Sequence, residues 1–145
     1  MGSFLKYSLI GCGSLIGLFV LGIAFLIFFG DMIPSNAARA LPGSATDIHE
    51  YYWDDGFQGD FTRTLKAKMP ESDFLEFVNN LDLKDRFDPA IHGNGPVSFT
   101  VPCDEEWWNP PTSLDNAFIN YKRGDEYFAI AKYHDGHAYF AAFCW

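Results

Sequence analysis

The residues most able to do chemistry sit together in Trp107-Trp108-Asn109-Pro110-Pro111, which Asp104, Glu105 and Glu106 precede. Two adjacent indoles on an irregular, proline-stiffened loop cannot both turn into the same core, so one is expected at the surface. An exposed indole marks a protein interface or a platform on which a flat ligand stacks. The neighbouring carboxylates could accept sugar hydroxyls. The plainer expectation has Trp107 capping the edge of a core and Trp108 lying flat over a sheet. Contact with a protein partner through Trp107, Trp108, Pro110 and Pro111 is the leading reading, and a glycan- or ligand-binding loop is the alternative.

Other groups point to less. His134 and His137 bracket Asp135-Gly136, so both could project from one end of a hairpin. Two imidazoles and a carboxylate fall short of the three or four protein ligands zinc takes. His49 and His92 bear no spacing relation to them. Glu50, Asp54, Asp55 and Asp60 cluster in sequence, but glycoside hydrolysis depends on a carboxyl separation that spacing does not give. A solvated acidic face accounts for them. Gly93-Asn94-Gly95-Pro96 lacks phosphate-loop spacing, no nucleophile elbow occurs, and Arg123-Gly124-Asp125 reads as a turn. No catalytic residue, cofactor or metal is expected.

The elements that must position these residues are bounded by composition. The chain has 145 residues, 48% of them apolar and 18% aromatic, enough for one packed core. Nineteen acids against ten Lys and Arg give a net charge of −9. Such acidity opposes a nucleic-acid partner, because phosphate binding needs basic patches.

From Tyr7 to Gly30 no charged side chain interrupts 24 positions. About 20 apolar residues cross a bilayer as a helix, so residues 7–30 are expected to form a single-pass signal anchor. A cleaved signal peptide would have a shorter apolar run. Lys6 at the front is expected to keep residues 1–6 in the cytoplasm and the rest of the chain outside it. Gly13, Gly17, Gly22 and Ala24 are small residues at which another membrane subunit's helix could approach closely. Cys12 falls within the anchor. Cys103 and Cys144 are then an even pair outside the cytoplasm, expected to form a disulfide, with two unpaired buried thiols as the alternative.

Residues 31–46 lack periodicity and read as a linker to an extracytoplasmic domain over 47–145. Ile48–Trp53 is rich in strand formers, and Asp54-Asp55-Gly56 marks a hairpin turn. In Phe61–Met69, Phe61, Leu65, Ala67 and Met69 share one face, while Thr62, Thr64, Lys66 and Lys68 take the wet one. Pro70 opens a helix whose Phe74, Phe77, Val78 and Leu81 make one apolar stripe. Residues 84–96 are turn-rich, Val97–Val101 is a short strand, and 103–113 are irregular. Ala117–Lys122, Glu126–Tyr133 and Ala138–Phe143 are expected strands, the last apolar on both faces and therefore central. The predicted class is α+β: one N-terminal transmembrane helix, then a small antiparallel sheet with one helix.

Leu41-Pro42-Gly43-Ser44-Ala45, Gly56-Phe57-Gln58-Gly59-Asp60-Phe61, Pro70-Glu71-Ser72-Asp73-Phe74 and Trp107-Trp108-Asn109-Pro110 together resemble small bacterial exported or membrane-anchored proteins of uncharacterised function. The resemblance covers residues 41 to about 110. It implies a bacterial cell-envelope protein, anchored in the inner membrane with its domain in the periplasm, and brings no catalytic residues. The expected function is that of a non-catalytic accessory subunit whose helix and outer domain contact membrane lipid and other membrane subunits.

Overall fold

The computed structural model describes residues 17–24, 35–54, 60–92, 99, 101, 103–121 and 127–144. The chain divides into two compact units, residues 1–35 and 36–145.

In the first unit, residues 17–24 are helical. No helix among the described residues is long and apolar enough to cross a membrane. The expected single-pass membrane anchor over 7–30 is corrected accordingly, and the rest of that run lies outside the described residues. So do Cys12 and Gly13. Gly17 and Gly22 are described, and a Cβ added at either would meet no atom within 4 Å. The fold class is corrected with the anchor: the architecture is a six-stranded antiparallel sheet with a few short helices.

The second unit begins inside the expected linker. Helix α1 (Asn36–Arg39) buries Ala37, and the next residues bury Ala40. The Asn80 side-chain amide donates to the Ala40 carbonyl at 3.0 Å, so this stretch is folded onto the domain. Strands β1 (Thr46–Asp54) and β2 (Phe61–Lys68) follow, then helix α2 (Glu71–Asn80). The expected turn-rich stretch contains strand β3 (Asp85–Arg86) and helix α3 (Pro89–His92). Strands β4 (Phe118–Asn120), β5 (Tyr127–His134) and β6 (His137–Cys144) close the chain. Their spatial order is β1-β2-β6-β5-β4-β3, every neighbouring pair antiparallel. Phe99 and Val101, from the expected strand Val97–Val101, lie outside any strand.

Strand β6 lies inside this order, as its two-sided apolar pattern requires. Ala138, Phe140 and Ala142 face α2 together with Leu65 and Ala67 of β2 and Ala129 and Ala131 of β5. Phe74, Phe77 and Val78 of α2 close that core, Phe77 meeting Phe140 edge-on at 6.3 Å. Tyr139, Ala141 and Phe143 point the other way, into a second core with Phe128, Ile130, Ile119 and Ala117. No helix among the described residues covers this second face. Phe99, Val101, Trp108 and Leu114 from the irregular loop cover it. The expected wet face of β2 is therefore dry in its middle, with Thr64 fully buried and Thr62 nearly so.

Helix α2 stops where its sequence lets the chain turn left-handed. Asp82 has φ 58°, its N–H reaches the Asn79 carbonyl at 3.0 Å, and the Leu83 N–H reaches the Val78 carbonyl at 3.1 Å. This pair of bonds is a Schellman cap, completed by burial of Leu83 in the helix-side core. At the other end, Asp73 accepts hydrogen bonds from the hydroxyls of Ser44 and Ser72. Those bonds favour the carboxylate and hold its pKa below the ordinary 3.8, the Ser44 bond contributing most. The Ser44 bond ties the segment before β1 to α2. Because the folded pKa is the lower one, this stabilisation is present above the unfolded pKa and is lost as pH falls through the folded value. Ser44→Ala is expected to raise the Asp73 pKa, read by NMR titration of the side-chain carboxyl. The stability difference from wild type should exist at neutral pH and disappear once Asp73 is protonated.

Candidate functional site

One row of side chains crosses the sheet on the face that the loop covers. Register pairs His49 with Lys66, Lys66 with Tyr139, and Tyr139 with Lys132. These four residues hold the loop down. Lys66 Nζ donates to the Trp107 carbonyl at 3.2 Å and to Asn109 Oδ1 at 2.7 Å, and it lies 5.5 Å from the centre of the Tyr139 ring. The Tyr139 hydroxyl donates to the same Asn109 oxygen at 3.3 Å. Burial pushes its pKa up, so it keeps the proton it donates. Lys132 Nζ donates to the Ser113 carbonyl at 2.6 Å. Two ammonium groups thus anchor carbonyls that an irregular loop would otherwise leave unpaired against an apolar sheet.

Both tryptophans are half-buried, and neither is the free platform the sequence suggests. The Trp107 ring stacks on His49 of β1, with centroids 5.3 Å apart and planes 19° apart. The Trp108 ring enters the second core, edge-on to Tyr139 at 5.9 Å, to Phe99 at 6.1 Å and to Trp107 at 5.8 Å. The Trp108 Nε1–H is buried without a hydrogen-bond partner. Pro110 and Pro111 are half-buried, while Asp104, Glu105 and Glu106 are exposed.

Cys103 and Cys144 are both free, which corrects the expected bridge, and the period of the strands explains why. Cys144 lies opposite Phe61 and Tyr127, in phase with Ala138, Phe140 and Ala142 on the helix side. Cys103 lies on the loop side, where its sulfur accepts a bond from the Thr64 hydroxyl at 3.6 Å. The sheet stands between the two thiols.

His134 and His137 do face each other across the β5–β6 turn. The turn is the tight kind that needs two positive φ angles, with Asp135 at 48° and Gly136 at 76°. His134 Nε2 lies 3.4 Å from Asp135 Oδ2, and His137 Nδ1 lies 2.8 Å from the Asp135 carbonyl oxygen. No group of three His, Cys, Asp or Glu able to hold a metal occurs among the described residues. Two of the clustered acids have partners, Glu50 pairing with Arg63 at 3.0 Å and Asp54 accepting from the Tyr52 hydroxyl at 3.0 Å, while Asp55 lies outside the described residues. Gly93-Asn94-Gly95-Pro96 and Arg123-Gly124-Asp125 lie outside the described residues.

The feature that sequence reasoning passed over is the place of β1 at the edge of the sheet. Strand β1 ends the sheet, and no strand among the described residues lies beyond it. Along nine residues it exposes Ile48 at 50%, Tyr52 at 49% and Trp53 at 46%. Native sheets usually blunt such an edge, since its unpaired backbone groups invite another strand. On the helix side, the Arg63 guanidinium lies 4.6 Å from the Tyr52 ring centre, and a chain of rings runs from Tyr52 to Phe61 (6.1 Å) to Tyr127 (6.3 Å). Partial burial, then the bond to Asp54, pushes the Tyr52 hydroxyl above its ordinary pKa, and burial does the same for Tyr127. Both rings are neutral at physiological pH. On the loop side stand His49, Tyr51 and Trp53, with Trp107 against His49. A signal for this was in the sequence: Thr46–Asp54 alternates neither way, and a strand with acids and aromatics on both faces has neither face committed to a core.

No protein-family model, no curated protein and no solved structure matches this chain.

Two outcomes test the site's construction. Trp108→Phe keeps the ring packing and removes a buried donor that costs about 1–3 kcal/mol when unpaired, so stability in urea should hold or rise. Trp108→Ala should instead lose about 3 kcal/mol. Reducing agent should leave Tm unchanged, whereas a bridge closing about 40 residues would be worth about 3–4 kcal/mol and would show as a drop of several degrees.

Proposed function

We propose that this domain is a non-catalytic binding module, an accessory part of a larger protein assembly, that takes up an extended segment of a protein partner along the open edge of β1. The observation that carries this reading is a nine-residue edge strand exposing Ile48, Tyr52 and Trp53. Strand addition would give partners to backbone N–H and C=O groups on the side of β1 where no strand lies among the described residues, and alternate side chains of the incoming segment would read the two faces. The neighbouring structure is stiff enough to serve as a template: β1 pairs with β2 over almost its whole length, and Trp107 is fixed against His49 by the Lys66 bonds. The glycan alternative finds less support, since the Trp108 ring is consumed by packing and Trp107 has one side against His49.

Linear twelve-residue peptides selected on the full chain should shift the backbone NMR signals of β1 and slow hydrogen exchange of its amides. Trp53→Lys, at an exposed position, should leave the fold intact and weaken those peptides about thirtyfold, the scale of a 2 kcal/mol interface residue. Peptides that bind but perturb α2 or the β5–β6 turn while sparing β1 would refute the proposal.

A further inference from the structure

We infer that the segment received by β1 is cationic and alternates basic with apolar residues. This rests on the edge reading above and adds the partner's chemistry.

Charge comes first. Asp47, Glu50 and Asp54 lie on β1, and the exposed Asp104, Glu105 and Glu106 directly precede Trp107, whose ring lies on His49 of the same strand. The nearby cations are largely committed within the chain. Arg63 holds Glu50 and covers the Tyr52 ring, and Lys66 is bonded to the loop. The His49 ring is also engaged, its Nε2 lying 3.0 Å from Asp47 Oδ1. Lys68 is exposed but stands opposite Thr46, at the very start of the strand. The chain as a whole carries −9. An acidic segment would be repelled from this edge, and a second copy of the chain would bring three more β1 carboxylates to one seam. A basic segment is drawn in.

Period comes second. An extended segment beside β1 sends alternate side chains to opposite faces of the sheet. The helix-side face offers the rings of Tyr52, Phe61 and Tyr127, and the acids there are already bonded, Glu50 to Arg63 and Asp54 to Tyr52. That face takes apolar side chains. The loop-side face offers Trp53 and Trp107, and the exposed Asp104, Glu105 and Glu106 are the three residues that lead into Trp107. It takes lysine or arginine, which gains from both the carboxylates and the indole faces. Basic and apolar residues must then alternate with a period of two.

The test uses the full chain and three fluorescein-labelled ten-residue peptides read by anisotropy. One alternates lysine with valine, one alternates glutamate with valine, and one carries the first peptide's residues in two blocks. The alternating lysine peptide should bind at least about tenfold more tightly than either of the others, and its affinity should fall as NaCl is raised. Glu105→Lys with Glu106→Lys should reverse the preference between the lysine and glutamate peptides. Equal binding of those two peptides, or a preference unmoved by the double reversal, overturns the inference. If equal binding is still lost in Trp53→Lys, only the charge assignment fails and the edge reading survives. If the lysine peptide ignores Trp53→Lys yet is lost in the double reversal, contact is with the loop acids alone and both readings fail. A dimer of the free chain by sedimentation, dispersed by Trp53→Lys, would make a second copy the occupant and overturn the inference as well.

Discussion

Strand β6 carries apolar side chains on both of its faces, and the domain is organised by the need to cover both. An antiparallel strand with one wet face would need one covering layer, but Phe140 and Ala142 point one way while Tyr139, Ala141 and Phe143 point the other. The chain meets the two demands differently. Helix α2 delivers Phe74, Phe77 and Val78 as a ready-made stripe. The opposite face receives a loop, and a loop brings backbone polar groups that cannot be left dry. Lys66 and Lys132, projecting from within the sheet, bind two of its carbonyls and let Trp108 settle on Tyr139. Buried or half-buried alanines along β5 and β6 keep the sheet thin enough for both layers to come close.

That division sets what the remaining residues can be. Because two consecutive residues of a strand belong to different layers, Cys103 on the loop side and Cys144 on the helix side are kept apart by the sheet itself. Because the lysines are engaged in holding the loop, little positive charge is left to balance the acids around β1. And because α2 and the loop are both used on the inner strands, β1 at the end of the sheet has its aromatic residues half in solvent on each face. The open edge is thus a consequence of how the core was filled.

Some of this was legible along the chain. The alternation of Phe61–Lys68, the stripe Phe74-Phe77-Val78 after Pro70, the Asp135-Gly136 turn and the two-sided Ala138–Phe143 run all appear in the structure where their local patterns put them. Other expectations failed for identifiable reasons. Residues 36–45 carry no period, yet Ala37 and Ala40 are buried, because small side chains pack without announcing a face. Thr62 and Thr64 read as wet because hydroxyls alternate with apolar neighbours, and only the arriving loop dries them. The long apolar run near the N-terminus suggested a membrane-spanning helix from hydropathy alone, and no helix of the described residues has that length.

By itself the sequence determined the period of each element and which residues share a face, since those depend on neighbours two to four positions away. The tertiary structure alone decided what lies against each face. Lys66 meets Asn109 across 43 positions, Ser44 meets Asp73 across 29, and His49 comes to rest beneath Trp107. Contacts of that reach depend on strand order, and no local pattern encodes which strand becomes the edge.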